Sequence, residues 1–349
     1  MSWEIHPASE LEKFANEWDE LRKQSGHKAL MHLDFVIPLI KYFGTDKELL
    51  AIYKEQNIIK AAGIVVHKGR GIWETFQPSQ APVGIWIQAS SMDFALLLPG
   101  LVDALPGLAL TLAITQQDAD IIPKAVASRL INYLDYIQTA RVTITTPFEE
   151  YWSQRGKNLR QNVKKQKNAL AKENITPRLD VISLSTEIRT VLQDYGKLES
   201  AGWKASNGTA ISEDNDQGKF YLEMLTRFAQ RDCARIYRYM FNDKVVAIDL
   251  CIEDSGEIIV LKTTYDESIR SVSPATLLRY DYFQTIFEEK RINRIEFYGK
   301  VMDWHTKWTD EIRDIYHVNC YRWQWLPHLK RLLSKPSPKS TEKEEATNE

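Results

Sequence analysis

Apolar positions recur along the chain at two spacings, and the two alternate. Trp3–His6 reads as a short strand. Across Glu10–Arg22 the apolar residues Leu11, Phe14, Trp18 and Leu21 fall three or four apart, which predicts an amphipathic helix; Phe35–Phe43 reads as another. Three strand-like runs follow, Leu49–Lys54, Ile58–His67 and Gly71–Phe76, parted by turn residues at Gln56-Asn57 and Gly69–Gly71. A helix over Met92–Ala104, a buried strand over Leu108–Thr115 and a further strand over Tyr136–Thr145 complete this stretch.

The order then repeats. Arg178–Ser183 is a strand, Glu187–Glu199 and Lys219–Ala229 are helices, and Ala234–Phe241, Val245–Glu253 and Glu257–Tyr265 are strands joined by tight turns. Pro274–Glu289 is a helix, Arg294–Tyr298 a strand, and Ile312–Trp325 one last strand or two short ones. Each half reads β-α-α-β-β-β-α-β-β. Short turns imply antiparallel pairing, and the late helix must cross over between parallel strands. The expected class is α/β (α+β), a mixed, mostly antiparallel sheet flanked by helices in each of two tandem units. The expected domains are 1–150, 151–333 and a tail, 334–349, with no large apolar residue and therefore no core.

The 349 residues are enough for two ordinary domains. The longest apolar stretch, Phe94–Thr115, is broken by Pro99, Gly100, Asp103, Pro106 and Gly107, so a buried helix and strand are expected there rather than a membrane span. No basic start leads into an apolar run at the N-terminus, so no leader is expected, and a cytoplasmic location fits. Forty-five basic against 47 acidic side chains argue against a chain whose whole body binds nucleic acid, so no DNA partner is expected, but they leave room for a local basic patch. Cys233, Cys251 and Cys320 are too few and scattered for a disulfide framework, and with no HExxH or ligand pair no metal site is expected.

That local patch lies between the halves. Arg155–Lys172 holds seven basic residues and no acidic one. At helical spacing Leu159, Val163 and Leu170 share one side, while Lys157, Arg160, Lys164 and Lys167 line another. Solvated helices mix signs to gain i,i+4 pairs; a single sign points to a stripe for a phosphorylated partner, with a plain linker helix as the alternative. A second anion site is expected where the strand ending at Tyr265 leads to the helix at Pro274: Ser273 is a plausible N-cap, Lys262 and Arg270 lie near, and a helix start offers free N–H groups.

Four stretches in order resemble the GNAT-fold acyltransferases of the CelD/BioF-like type, themselves related to the FemAB peptidoglycan aminoacyltransferases. They are GKNLRQNVKK (156–165), LESAGWK with GTAI (198–204, 208–211), LKTTYDE…SPATLL (261–278) and IEFYGK…HTKW (295–308). The resemblance implies two tandem GNAT-like domains and acyl transfer from acetyl-CoA or another acyl-CoA, or from a charged tRNA, to a phosphorylated sugar or an amine-bearing acceptor in envelope or polysaccharide synthesis. A catalytically inactive scaffold in such a complex is the third reading. The resemblance places a CoA diphosphate at Arg270, Ser271, Ser273, Ala275 and Thr276, although this loop lacks the family's glycines, and it places substrate phosphate at Arg160.

Acyl transfer needs a base, oxyanion-stabilising dipoles and an acid, but no covalent nucleophile. The base candidates are Glu199, before the Gly202-Trp203-Lys204 loop, Asp249, which interrupts the apolar run VVAIDLCI, and Glu296, which also reads as structural. Tyr265 or Tyr298 are acid candidates. Lys157, Lys164, Lys204, Lys262 and Lys307 are candidate holders of phosphate or carboxylate. Trp203 is a candidate substrate contact in that loop, and Trp304, Trp308, Trp323 and Trp325 either wall a substrate cleft or pack the final strands. His305 is the one histidine inside a matched stretch, and Cys251 reads as a small apolar residue.

Overall fold

The computed structural model describes residues 2–26, 29–201 and 210–327. The first half runs β1 (Ser2–Pro7), a 3-10 helix over Ala8–Phe14, α1 (Ala15–Gln24), α2 (Leu33–Phe43), β2 (Leu49–Glu55), β3 (Ile58–Gly69), β4 (Ile72–Thr75), β5 (Trp86–Gln88), α3 (Phe94–Ala104), β6 (Thr111–Asp118) and β7 (Ile131–Thr143). The second runs α4 (Phe148–Gln154), α5 (Lys157–Lys172), β8 (Pro177–Ile182), α6 (Ile188–Ala201), α7 (Asp216–Gln230), β9 (Ala234–Phe241), β10 (Lys244–Asp254), β11 (Glu257–Tyr265), α8 (Pro274–Glu289), β12 (Arg294–Glu296), α9 (Asp303–Trp308) and β13 (Ile312–Tyr321).

The repeated order becomes one mixed sheet. Its strands lie β1-β2-β3-β4-β6-β13-β7-β12-β11-β10-β9-β8, with β5 paired to β3. All pairs are antiparallel except β4 with β6 and β11 with β12, the two places where a helix, α3 or α8, crosses over. The halves trade their last strands. β7, at the end of the first half, pairs with β12 of the second, while β13 returns to pair with β6 of the first and with β7.

Three expectations needed correction. Glu10–Arg22 is not one helix, because its first turns are 3-10 up to Phe14; tight turns of this kind are frequent at helix starts. The last strand stops at Tyr321 rather than Trp325. There Arg322 turns away, its N–H donating to Leu110 O and its guanidinium to Ala109 O and Val102 O. α4, α9 and β5, of seven, six and three residues, are too short to display a period. The tail 334–349 lies outside the described residues.

Helices α6 and α7 pack on one face of the second-half sheet; α5 and α8 lie on the other. Alternation along β10 sorts the two cores: Ile248, Leu250 and Ile252 face α6 and α7, Ala247 and Cys251 face α8. Among the described residues no helix is long and apolar enough to cross a membrane.

Candidate active site

Strands β11 and β12 pair from Glu257 with Arg294 to Ile259 with Glu296 and then part. A cleft of about 320 Å³ opens there. Val260, Leu261 and Lys262 line one wall and Phe297, Tyr298 and Gly299 the other; Gln217 and Tyr221 of α7 and Ser79, Gln80 and Pro82 of the first half close it.

Lys262 reaches this cleft through a bulge. Cys251 pairs with Val260 but Leu250 pairs with Lys262, so Leu261 has no opposite residue. The extra residue reverses the alternation and puts Lys262 on the face of α6 and α7. Its Nζ lies 3.3 Å from Glu199 Oε1 and 5.8 and 5.6 Å from the ring centres of Tyr195 and Tyr221. Glu199 is itself buried, and its Oε2 accepts the Ile211 N–H at 2.8 Å. Burial first, and the Glu199 charge second, raise the Tyr195 and Tyr221 hydroxyls well above the ordinary tyrosine range, so both stay protonated.

The opposite wall rests on a buried charge cluster. Tyr298 has φ +43°, a left-handed conformation costly for a side chain of this size. Its ring lies 5.1 Å from the Arg313 guanidinium. Arg313 Nε donates to both Asp118 oxygens at 3.0 and 2.9 Å, and its Nη2 lies 2.6 Å from Glu296 Oε2. Glu296 is thus part of a brace between β6, β12 and β13. Burial raises it to about 8, against the pull of Arg313.

Asp249 faces the other side of the sheet. Tyr282 Oη donates to its Oδ2 at 3.1 Å, Arg279 Nη2 lies at 3.5 Å, and its Oδ1 has no hydrogen-bond partner among the described residues. Arg279 in turn lies 4.0 Å from the Trp304 ring centre. Phe297, a wall of the cleft, stands edge-on to Trp304 and His305. Trp308 is a core residue against Trp152 and Phe283 rather than a substrate contact, its carbonyl accepting the Tyr151 hydroxyl at 2.6 Å. Tyr265 is exposed at the far end of β11, three residues past Lys262, and does not line the cleft. Trp203 and Lys204 lie outside the described residues.

On the α8 face a second cleft of about 550 Å³ lies between the starts of α5 and α8 and the helix α9. Arg155, Gly156, Asn158, Asn162, Thr276 and Lys307 line it, together with Asp310. Gly156 caps α5 without a side chain, and the first turn carries no acid. Lys157, Arg160 and Lys164 are exposed, whereas Lys167 is tied to Asp281 at 2.7 Å. Arg270 and Ser271 are exposed short of α8 and do not line this cleft.

Sequence reasoning missed Gln166. It is buried on the apolar side of α5, and its Oε1 accepts the Ser273 N–H at 2.8 Å. A polar residue at the 159/163/166/170 spacing was the available signal. The first half has a counterpart to the cleft, between β4 and β6, but it is filled: the Gly84 N–H donates to Thr115 O, and a Cβ on Gly84 would collide with Thr75 Oγ1. The segment that fills it also supplies Ser79, Gln80 and Pro82 to the open cleft.

Residues 157–306 match the family model described as an acetyltransferase (GNAT) domain. The second half is a GNAT acyltransferase domain. It makes the protein an enzyme of acyl transfer. The whole fold, both halves, is shared with solved structures. The C-terminal domain (DUF2156) of a protein assigned as a lysylphosphatidylglycerol synthetase from Agrobacterium fabrum aligns over 92% of this chain and 95% of its own, with a TM-score of 0.58 and 10% identity. L-PGS from Bacillus licheniformis aligns over 91% and 95%, at 0.55 and 13%. A conserved protein of unknown function from Bacteroides thetaiotaomicron aligns over 91% and 99%, at 0.53 and 10%. No curated protein matches the sequence significantly.

GNAT domains generally use acetyl-CoA, whose diphosphate would fall at the start of α8. The residues there do not fit it. The Ser273 N–H is held by Gln166, Pro274 has none, and the Thr276 N–H donates to Ser273 O at 3.1 Å. Of the first turn of α8, from Ser273 to Thr276, the Ala275 N–H is left among the described residues.

Proposed function

We propose that the protein transfers an acyl or aminoacyl group to an amine or hydroxyl of a phosphate-bearing cell-envelope precursor. The observation that carries this is the cleft between β11 and β12, where a GNAT domain holds a lysine against a buried carboxylate and two protonated tyrosines. One of the similar structures bears the name of a lysylphosphatidylglycerol synthetase domain, which supports this acceptor class. A polysaccharide precursor, the CelD/BioF-like subtype and action from the cytoplasmic side belong to the same proposal.

The acceptor's nitrogen or oxygen attacks the donor carbonyl, the carbonyl becomes an oxyanion, and as the tetrahedral centre collapses the bond to the leaving group breaks, the acceptor's proton passing through solvent to the departing atom. The Lys262 ammonium at the cleft wall stabilises that oxyanion. Glu199 holds Lys262 in place and is a positioning residue; it does not line the cleft. Tyr221 and Tyr298, both lining the cleft with raised hydroxyls, stay protonated and serve as donors to substrate. Substrate phosphate sits in the second cleft against Arg155 and Lys307, with the exposed Arg160 next to it, its Nε on the Arg155 carbonyl.

The closed start of α8 favours an ester donor such as aminoacyl-tRNA over acyl-CoA, and the exposed stripe of Lys157, Arg160 and Lys164 suits such a polyanion. The purified full-length chain is to be tested by calorimetry with acetyl-CoA and longer acyl-CoAs, and by label transfer from charged tRNAs to envelope precursors. Labelling from charged tRNA without acyl-CoA binding is expected. Tight acyl-CoA binding would overturn the donor, and the absence of transfer from either donor would overturn the function.

A further inference from the structure

The first half does more at the β11/β12 cleft than close it. Its segment between β4 and β5 is pinned at both ends. The Phe76 N–H donates to Ile64 O at 2.7 Å, the Ile85 N–H to Phe76 O at 3.2 Å and the Gly84 N–H to Thr115 O at 3.1 Å. Between those ties the chain turns: the Ala81 N–H donates to Pro78 O at 2.9 Å, and Gln77 Nε2 to Ala81 O at 3.3 Å. The tip of the turn presents Ser79 and Gln80 to the cleft. A backbone held this way fixes its side chains where a substrate is read.

Three uncharged polar side chains form a row there. Gln217 Nε2, from α7, donates to Gln80 Oε1 at 3.3 Å, and Gln80 Nε2 donates to Ser79 Oγ at 3.2 Å. A primary amide carries two N–H bonds, and a hydroxyl both donates and accepts, so Gln80 and Ser79 keep groups to offer a ligand. The other walls are apolar or aromatic. Among the described residues lining the cleft Lys262 is the single charge, and no aspartate or glutamate lines it. With Lys262 facing the carbonyl, the rest of the acyl group occupies the remainder of about 320 Å³. A hydroxyl or carboxamide on that group finds partners in the row, and a methyl in its place leaves those bonds unmade. A side-chain ammonium, as on a lysyl group, meets the Lys262 charge with no acid to offset it.

We propose that Ser79, Gln80 and Gln217 determine specificity, selecting an acyl group with a short, uncharged hydrogen-bonding substituent over an apolar or a cationic one. The inference rests on the Lys262 cleft being the site of transfer and adds which group is transferred. The test assays the full-length chain with seryl-, alanyl- and lysyl-tRNA and, in parallel, with 3-hydroxybutyryl-CoA and butyryl-CoA. Phosphatidylglycerol and a nucleotide-linked muropeptide are the acceptors. Seryl against alanyl, and hydroxybutyryl against butyryl, differ by a single oxygen. In the pair that supports turnover, kcat/KM should be at least about tenfold higher for the hydroxyl-bearing donor. Gln80→Leu should bring that ratio close to one. Loss of a merely structural bridge between the halves would slow both donors alike and leave the ratio unmoved. Gln80→Glu supplies the missing acid and should shift use toward lysyl-tRNA. Ser79→Ala, at the exposed tip, should lower the ratio independently and keeps the test valid if the Gln80 variants fail to fold. Equal kcat/KM within the pair, a preference for lysyl-tRNA, or a ratio unchanged in Gln80→Leu and Ser79→Ala would overturn the assignment and leave the transfer function standing. No transfer from any of these donors would overturn the function, and the assignment with it.

Discussion

At the scale of single residues, the site is set by a side chain in an irregular place. Without the bulge at Leu261, Lys262 would point toward α8 and Asp249, away from Glu199. Replacing Lys262 by Met removes the charge facing the oxyanion, so kcat should fall by about 100-fold or more with KM little changed. Lys262→Arg should recover part of it, and steady-state assays with the donor that supports turnover would check both. Nearby, His305 carries a pH signature. Its Nδ1 accepts the Met302 N–H at 3.0 Å, and burial together with the Arg279 charge lowers it from 6.5 to about 4. The unfolded chain takes up a proton below about 6.5 that the folded chain refuses until about 4. This contribution to stability is therefore full above 6.5 and is lost as pH falls through that window, by about 3 kcal/mol at most. Urea midpoints between pH 7 and 4 should fall in the parent and flatten in His305→Asn.

At the scale of elements, α5 and α8 are locked by one hydrogen bond. Gln166→Leu would strand the Ser273 N–H at the α8 start, and urea unfolding should register a loss of about 1–3 kcal/mol. Gln166→Glu keeps an acceptor and should lose less. This contact shows where sequence reading stops. The strands and long helices were legible because one face of each is buried, so period 2 or 3.6 is written into the residues: α5 was expected over 156–172 and spans Lys157–Lys172. Ser273 was expected to cap α8 with free N–H groups behind it. No spacing rule reveals that a glutamine 107 positions away accepts its N–H. Asp249 interrupts an apolar run and Glu199 precedes a loop, so the sequence offers both as bases, yet they lie on opposite faces of the sheet and Glu199 is the one that meets a cleft lysine. The bulge in β11, which decides between them, depends on pairing partners rather than on local sequence.

At the scale of the whole molecule, the exchange of β7 and β13 makes each half depend on the other, and one side chain ties the exchange together. Arg313 on β13 holds Asp118 of the first half and Glu296 of the second, each almost fully buried. Removing a partner from such a cluster leaves uncompensated charge, which typically costs about 3–5 kcal/mol. Arg313→Met should therefore destabilise the protein by that order near neutral pH, and because Tyr298 rests on the same guanidinium, turnover should fall with it. The pH dependence separates this from mere loss of packing. Glu296 is already raised from 4.5 to about 8 with Arg313 in place, and without the cation it rises further. The folded variant then holds a proton that the unfolded chain releases above about 4.5. Its stability is best below that pH and declines as pH rises. The gap between parent and Arg313→Met should consequently stay level between pH 5 and 7, where Glu296 holds its proton in both folded forms, and widen above about pH 8 in paired denaturation curves. A gap independent of pH would show that Arg313 contributes volume rather than charge, and that the two halves are held together by strand pairing and apolar contact alone.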